Sequence, residues 1–190
     1  MEREILLTGI GGQGVQLAAQ VLARAATLEG RSVSALGLYG GMMRGGNTDS
    51  TLIVADRAIE APPIVPRAWA AIAMHDEFFA PIEPKLRPGG VVLVNDSTFA
   101  GTIHADVTVH RVAATDTAVA LGMPLGASMV MVGAFIAATA LVGIDAAVEA
   151  MRRSIPSYRS QHIADNETAL RAGLDLLAPN THPAWEQVSA

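Results

Sequence analysis

The eleven residues from Glu4 to Gly14 constrain this chain more than any others. An apolar run, Ile5-Leu6-Leu7, feeds Thr8-Gly9-Ile10-Gly11-Gly12-Gln13-Gly14, and the glycines open onto the long apolar segment Val15–Leu28. Strand, glycine turn and helix make the first βα unit of an α/β sheet, and Gly9, Gly11 and Gly14 fit G-x-G-x-x-G where a dinucleotide-binding turn carries it. Glycine permits positive φ and close backbone approach. The helix start behind it offers unpaired N–H groups and a partial positive charge to an anion.

Within the helix the polar residues are Gln16, Gln20, Arg24 and Thr27, spaced four, four and three apart. They form one narrow stripe, so the helix is expected to be buried on its other sides, against a sheet and a neighbouring helix. Gly30 is placed to end it. A nicotinamide or flavin dinucleotide makes a further demand: an acidic residue at the end of the second strand, about 20 residues on, to hold the ribose hydroxyls. That strand reads Ser32-Val33-Ser34-Ala35-Leu36, followed by Gly37-Leu38-Tyr39, and carries no acid. The turn therefore lacks its ribose clamp. Its structural reading, a tight turn that lets helix pack on strand, stands beside the ligand reading.

A chain of 190 residues is expected to form one domain over residues 1–178 with a tail at 179–190, and to bury roughly 70% of its unfolded surface. Hydrophobic residues make up 51% and charged ones 16%, an apolar balance that predicts surface buried against a partner. A net charge of −5 without a Lys/Arg cluster argues against nucleic acid. No cysteine is present, which excludes a disulfide framework and a cysteine-ligated zinc or iron–sulfur centre on this chain. Glu2, Arg3 and Glu4 leave no hydrophobic leader, so a cytoplasmic protein is expected. The uncharged stretch at 117–144 is long enough to span a bilayer, but Gly122, Pro124 and Gly126 divide it, predicting a turn and a buried helix over 127–142. Small residues at Gly133, Ala137 and Thr139 would let another helix approach closely.

Taken in order, the remaining pattern predicts a glycine-rich loop around Arg44, a strand at 49–55, a buried strand at 69–74 and another at 91–94. An alternating, edge-like strand follows at 107–109. The last third reads as helices at 116–121, 127–142, 144–153 and 161–177. The predicted class is α/β: a Rossmann-like, mostly parallel sheet flanked by helices, with a helical C-terminal third. In the tail, Trp185 is placed either to dock on a partner or to pack back on its own domain.

Ligands of such a sheet bind beyond the carboxyl ends of the strands. The turn residues Gly9, Gly11, Gly12, Gln13 and Gly14 and the loop residues Arg44, Gly45, Gly46 and Asn47 should meet there and are the candidate cofactor-binding residues. The five-donor fork of Arg44 suits phosphate or carboxylate; the structural alternative is an arginine bonded to loop carbonyls or crossing a subunit interface. His75-Asp76 could work as acid and base, but adjacent strand residues point to opposite faces. Asp96-Ser97 reads as a strand-end turn or helix cap. His104, His110, His162 and His182 have no metal-ligand spacing, and the methionines read as core or interface filler. No catalytic or metal-binding residue is assigned.

Taken together, Gly9-Ile10-Gly11-Gly12-Gln13-Gly14-Val15, Ala25-Ala26, Glu29-Gly30, Tyr39-Gly40 and Arg44-Gly45-Gly46 closely resemble the gamma subunit or domain of 2-oxoacid:ferredoxin oxidoreductases. The likeness runs to about Gly173 and includes the proline-rich crossover around Pro62, 86–90 with its following strand, and 129–133. Arg67-Ala68-Trp69 departs from it, since such proteins often place an Asp there. The resemblance implies an enzyme that decarboxylates a 2-oxoacid to acyl-CoA and passes electrons to ferredoxin or a related acceptor. Thiamine diphosphate, Mg and [4Fe–4S] clusters would then sit on partner alpha, beta and ferredoxin-like delta subunits. This chain would be non-catalytic and would help bind or enclose coenzyme A. The other reading is a stand-alone nucleotide-binding domain or small oxidoreductase built on the same turn.

Overall fold

A computed structural model describes residues 1–39, 45–60 and 62–186. Six strands form one sheet: β1 (Glu2–Ile10), β2 (Ser32–Tyr39), β3 (Asn47–Ala55), β4 (Ala68–Ala73), β5 (Leu86–Asn95) and β6 (Val107–Val112). Their spatial order is β2-β3-β1-β4-β5-β6. β3 pairs antiparallel with both β1 and β2, whereas β1, β4, β5 and β6 pair parallel. Five strands therefore share one direction and β3 alone opposes them. The strand expected at 49–55 is β3, and β6 takes the edge that its alternating pattern predicted.

The helices are α1 (Val15–Leu28), α2 (Ala114–Ala120), α3 (Ala127–Thr139), α4 (Ile144–Ser154) and α5 (Ile163–Leu174). Buried residues of all five join one core with Ile5, Leu7, Leu52, Ile72 and Leu93 of the strands. The other face of the sheet, with Leu6, Ile53, Ala71 and Val92, is covered by Phe79, Ile82 and Phe99 from the connections flanking β5. Chirality accounts for this division. The α1 crossover moves from β1 toward the β2 edge, while β4→β5→β6 moves the opposite way, and right-handed crossovers in opposite directions lie on opposite faces.

Twelve of the thirteen α3 residues are buried, so an uncharged sequence suits it on every side. It ends three residues before the predicted limit because Ala140 turns left-handed, with φ 46°. The carbonyls left open at its end are satisfied from the tail: Asn180, His182 and Ala184 donate N–H bonds to Ala137, Ala138 and Thr139 at 2.8, 2.8 and 2.7 Å. Trp185 packs back on its own domain, donating Nε1–H to the Leu141 carbonyl at 3.0 Å beneath the Arg31 guanidinium. The predicted helix at 161–177 begins instead as a 3₁₀ turn, Ser157–His162, followed by α5. No helix among the described residues is long and apolar enough to cross a membrane.

α3 and α5 meet backbone to backbone. A Cβ at Gly133 would fall 2.0 Å from the Leu170 carbonyl oxygen, and one at Gly173 would fall 2.1 Å from that of Val130. Each glycine thus accommodates the opposite helix's main chain. Gly133→Ala and Gly173→Ala should each lower the unfolding free energy by about 3 kcal/mol, because backbone cannot rotate aside as a side chain can. The double variant should lose less than the sum, since one separation of the helices relieves both contacts. Urea denaturation of the three variants checks this.

Candidate functional site

The two glycine segments predicted to meet do so at the carboxyl end of β1. Ile10 and Gly9 pair with Asn47 and Thr48, and Gly11 N–H donates to the Gly46 carbonyl at 2.8 Å. The antiparallel course of β3 is the reason: its first residues lie where β1 ends. Gly14 is the N-cap of α1 with φ 77°, a left-handed conformation in which a side chain would be strained. A Cβ there would also fall 2.3 Å from Ser128 Oγ.

Beside this junction lies a cleft of about 1210 Å³. Gly11, Gly12, Gly14, Gly46 and Asn47 line it together with Val15, Gln16 and Thr48. Its far wall is the 122–126 turn with Ser128, and its mouth is the 154–166 segment with Tyr158, Arg159 and Asp165. Gly45 follows the loop with φ 92° and does not line the cleft. Arg44 lies outside the described residues. Sequence reasoning missed Ser128 and the 154–166 segment. A signal for the former existed: Gly126 precedes the apolar α3 as Gly14 precedes α1, and both helices start at this cleft without a side-chain cap.

Gly9 and Gln13 lie behind the turn. A Cβ at Gly9 would come within 2.8 Å of Gln13 Oε1 and 2.9 Å of Met74 Cβ, so the glycine is needed for packing. Gln13 Oε1 accepts the Ile10 N–H at 2.8 Å, and its Nε2 donates to the Met74 carbonyl at 3.3 Å. The side chain pins the turn to the end of β4. Asn47 Nδ2 donates to Asp49 Oδ2 at 2.8 Å, and Gln16 Nε2 donates to the Asp49 carbonyl at 2.7 Å.

The topology gives a second reason against a dinucleotide. β3 separates β2 from β1, so the end of β2 lies two strand spacings, roughly 10 Å, from the glycine turn. A ribose clamp at that position would be displaced as well as missing.

His75 and Asp76 do touch, with Nδ1 3.1 Å from Oδ1. They lie in the turn beyond Ala73, where strand alternation no longer separates them. The Nδ1 lone pair accepts Glu77 N–H at 3.1 Å, and Asp76 Oδ2 accepts Ala100 N–H at 3.1 Å. Both side chains order the turn. Ser97 Oγ accepts Asp116 N–H at 3.2 Å and Asn95 Oδ1 accepts Thr115 N–H at 3.2 Å, so the end of β5 caps the first turn of α2. Met129 and Met131 are core residues. Among the described residues no three His, Asp or Glu side chains gather as a metal site would require.

Gln13→Ala should lower stability by about 1–3 kcal/mol, because it leaves the Ile10 N–H without its acceptor. Chemical denaturation checks this, and the amide of Ile10 should lose hydrogen-exchange protection before the rest of β1.

Comparison with known proteins gives consistent matches. Residues 4–176 match the family model for pyruvate ferredoxin/flavodoxin oxidoreductase. The 2-oxoglutarate synthase subunit KorC of Methanothermobacter marburgensis is 32% identical over 185 residues, covering 93% of this chain and 97% of that protein. The keto/oxoacid ferredoxin oxidoreductase gamma subunit of Geobacter sulfurreducens superposes with a TM-score of 0.80 at 26% identity, over 93% of this chain and 96% of its own. The same fold recurs, at a TM-score of 0.81 and 17% identity, in the 2-oxoglutarate:ferredoxin oxidoreductase of Magnetococcus marinus, solved with 2-oxoglutarate, coenzyme A and succinyl-CoA bound. That match covers 92% of this chain and 31% of the larger one. With a family match across most of its length and a relative of equal extent, this chain belongs to the pyruvate ferredoxin/flavodoxin oxidoreductase family.

Proposed function

We propose that this chain is the gamma-type subunit of a multi-subunit 2-oxoacid:acceptor oxidoreductase, which converts a 2-oxoacid and coenzyme A to acyl-CoA and CO2 and passes the electrons to ferredoxin or a related acceptor. The observation that carries this reading is the end-to-end match to a relative that is itself one subunit of an oxoacid enzyme. The chemistry of the chain supports it. Iron–sulfur clusters are held chiefly by thiolates, and there is no cysteine. The clusters then belong to a partner, and the family likeness assigns thiamine diphosphate and Mg as well to the partner alpha, beta and ferredoxin-like delta subunits or their fused equivalents. Residues 1–178 form the gamma-type domain and 179–190 its tail.

In this reading the cleft beside Gly11, Gly12, Gly14, Gly46 and Asn47 receives the anionic part of coenzyme A. The helix starts offer N–H groups and partial positive charge, and Arg44, three residues before β3, supplies a full charge and a planar donor fork. Gly9, Gln13 and Gly45 shape the turn and loop that carry these groups. The chain binds and encloses; it transfers no proton or electron itself.

The native protein should purify anaerobically as a brown iron–sulfur complex that reduces viologen with one of pyruvate, 2-oxoglutarate, a branched-chain 2-oxoacid, indolepyruvate or phenylglyoxylate, dependent on coenzyme A. A colourless single-chain protein, or a complex active on none of these, overturns the reading. Within the complex, Arg44→Ala should raise the KM for coenzyme A about tenfold to a hundredfold, the range expected for a hydrogen bond to a charged group. Arg44→Lys should recover part of the loss, because a point charge cannot reproduce the bidentate fork. Loss of assembly or thermal stability with an unchanged KM would instead make Arg44 an interface residue.

A further inference from the structure

At the edge of the sheet opposite the glycine turn, a strand length of roughly 26 Å away, lies a second cavity of about 630 Å³. The starts of β1, β4 and β5 meet there with the turn after β3 and the tail that closes α3. Its cationic residues are Arg3, Arg57 and Arg87, and the buried Trp69 ring lines it between them. The chain departs from its family's pattern in the same place, since Arg67-Ala68-Trp69 carries no Asp.

Arg3 is fixed in place by two contacts. Its Nε donates to the Ala184 carbonyl, and its guanidinium lies over the Trp69 ring, 4.7 Å from the centroid. Together they set the plane of the group, while Nη1 and Nη2 have no acceptor among the described residues. Burial, and after it the charge of Arg87, lowers the Arg3 pKa from its ordinary value, and Glu4 and Glu186 offset only part of that. Arg87 Nη2 lies 3.3 Å from Glu4 Oε2, so these two charges offset each other. Arg57 has no hydrogen bond or ion pair among the described residues, and Asp56 beside it pairs with the Met1 amino group. Of the acids lining the cavity, Glu2 then stands alone against Arg3 and Arg57.

We propose that this cavity binds a small free carboxylate, held by the fork of Arg3 and attracted by Arg57. A carboxylate is planar, and its two oxygens match parallel N–H bonds from one guanidinium. Because the ring and the Nε bond already fix the fork, little side-chain freedom remains to be lost on binding. The bound charge would also offset the repulsion between Arg3 and Arg87. The volume falls within the range of small-molecule sites. This cavity shares no lining residue with the glycine-turn cleft, so the assignment stands whether or not that cleft receives coenzyme A.

Calorimetric titration of the full chain with malonate and with inorganic phosphate, at matched ionic strength, tests it. Malonate should bind saturably and more tightly than phosphate. Arg3→Lys keeps the charge but removes the fork, and should weaken malonate about tenfold. Arg57→Gln should weaken it about threefold, as fits an exposed charge. Arg171→Gln, which removes the same charge on α5, should leave the affinity unchanged. Hydrogen exchange at the amides of Asn180, His182 and Ala184 shows whether Arg3→Lys releases the tail. If it does, Arg57→Gln decides the matter, because Arg57 makes no bond to the tail among the described residues. No saturable malonate binding, tighter binding of phosphate, or an unchanged affinity in either variant overturns the assignment. Malonate binding that persists in the assembled complex supports a free ligand. Its loss on assembly would overturn the ligand site and make this edge a subunit interface.

Discussion

The backbone contact between α3 and α5 holds the helical layer together. Gly133 and Gly173 face each other's main chains, so each helix packs on the other without an intervening side chain. That closeness makes α3 a central helix, buried all round, and a buried helix must resolve its own polar ends. It does so asymmetrically. Its C-terminal carbonyls are bonded by the amides of Asn180, His182 and Ala184, whereas its N-terminal amides open into the cleft. Protein closes one end of α3, and the other faces the cleft.

The sheet arranges the rest of that site by direction. Five strands run one way, so their carboxyl ends, with the turns that follow them, crowd one edge of the molecule. The reversed strand β3 brings a second glycine segment to the same edge, where Gly46 accepts the amide of Gly11. A dinucleotide fold places a parallel β2 next to β1 and reads the ribose at its end. Here the inserted antiparallel strand removes that possibility. Gln13, which the pattern suggested for binding, holds the first turn against Met74.

All five helices lie on one face, leaving irregular chain with Phe79, Ile82 and Phe99 over the other. Beyond that cover, β2 is an edge strand with Leu36 and Leu38 at 39% and 54% exposure. Leu125 on the far wall of the cleft and Tyr158 at its mouth are more exposed still, at 87% and 74%. The apolar excess in the composition is thus divided between an unusually complete core and scattered outward positions.

Much of this was legible in the sequence. The polar stripe of Gln16, Gln20, Arg24 and Thr27 located α1 and its buried faces, because helical periodicity is a local property. The run Val91-Val92-Leu93-Val94 marked a strand, and Pro124 and Gly126 divided the uncharged stretch into turn and helix. Gly9 through Gly14 and Gly46-Asn47 could be predicted to meet, since both follow or precede strands at one end of a sheet. What tertiary structure alone decided was pairing between distant segments. The reversed direction of β3, the tail amides that close α3 and the place of Ser128 beside Gly14 depend on residues tens of positions apart. Sequence determines the local elements through backbone sterics and the spacing of apolar side chains. Which unsatisfied N–H or hydroxyl faces which cavity is settled only when those elements pack, because a polar group's partner is defined by distance in space.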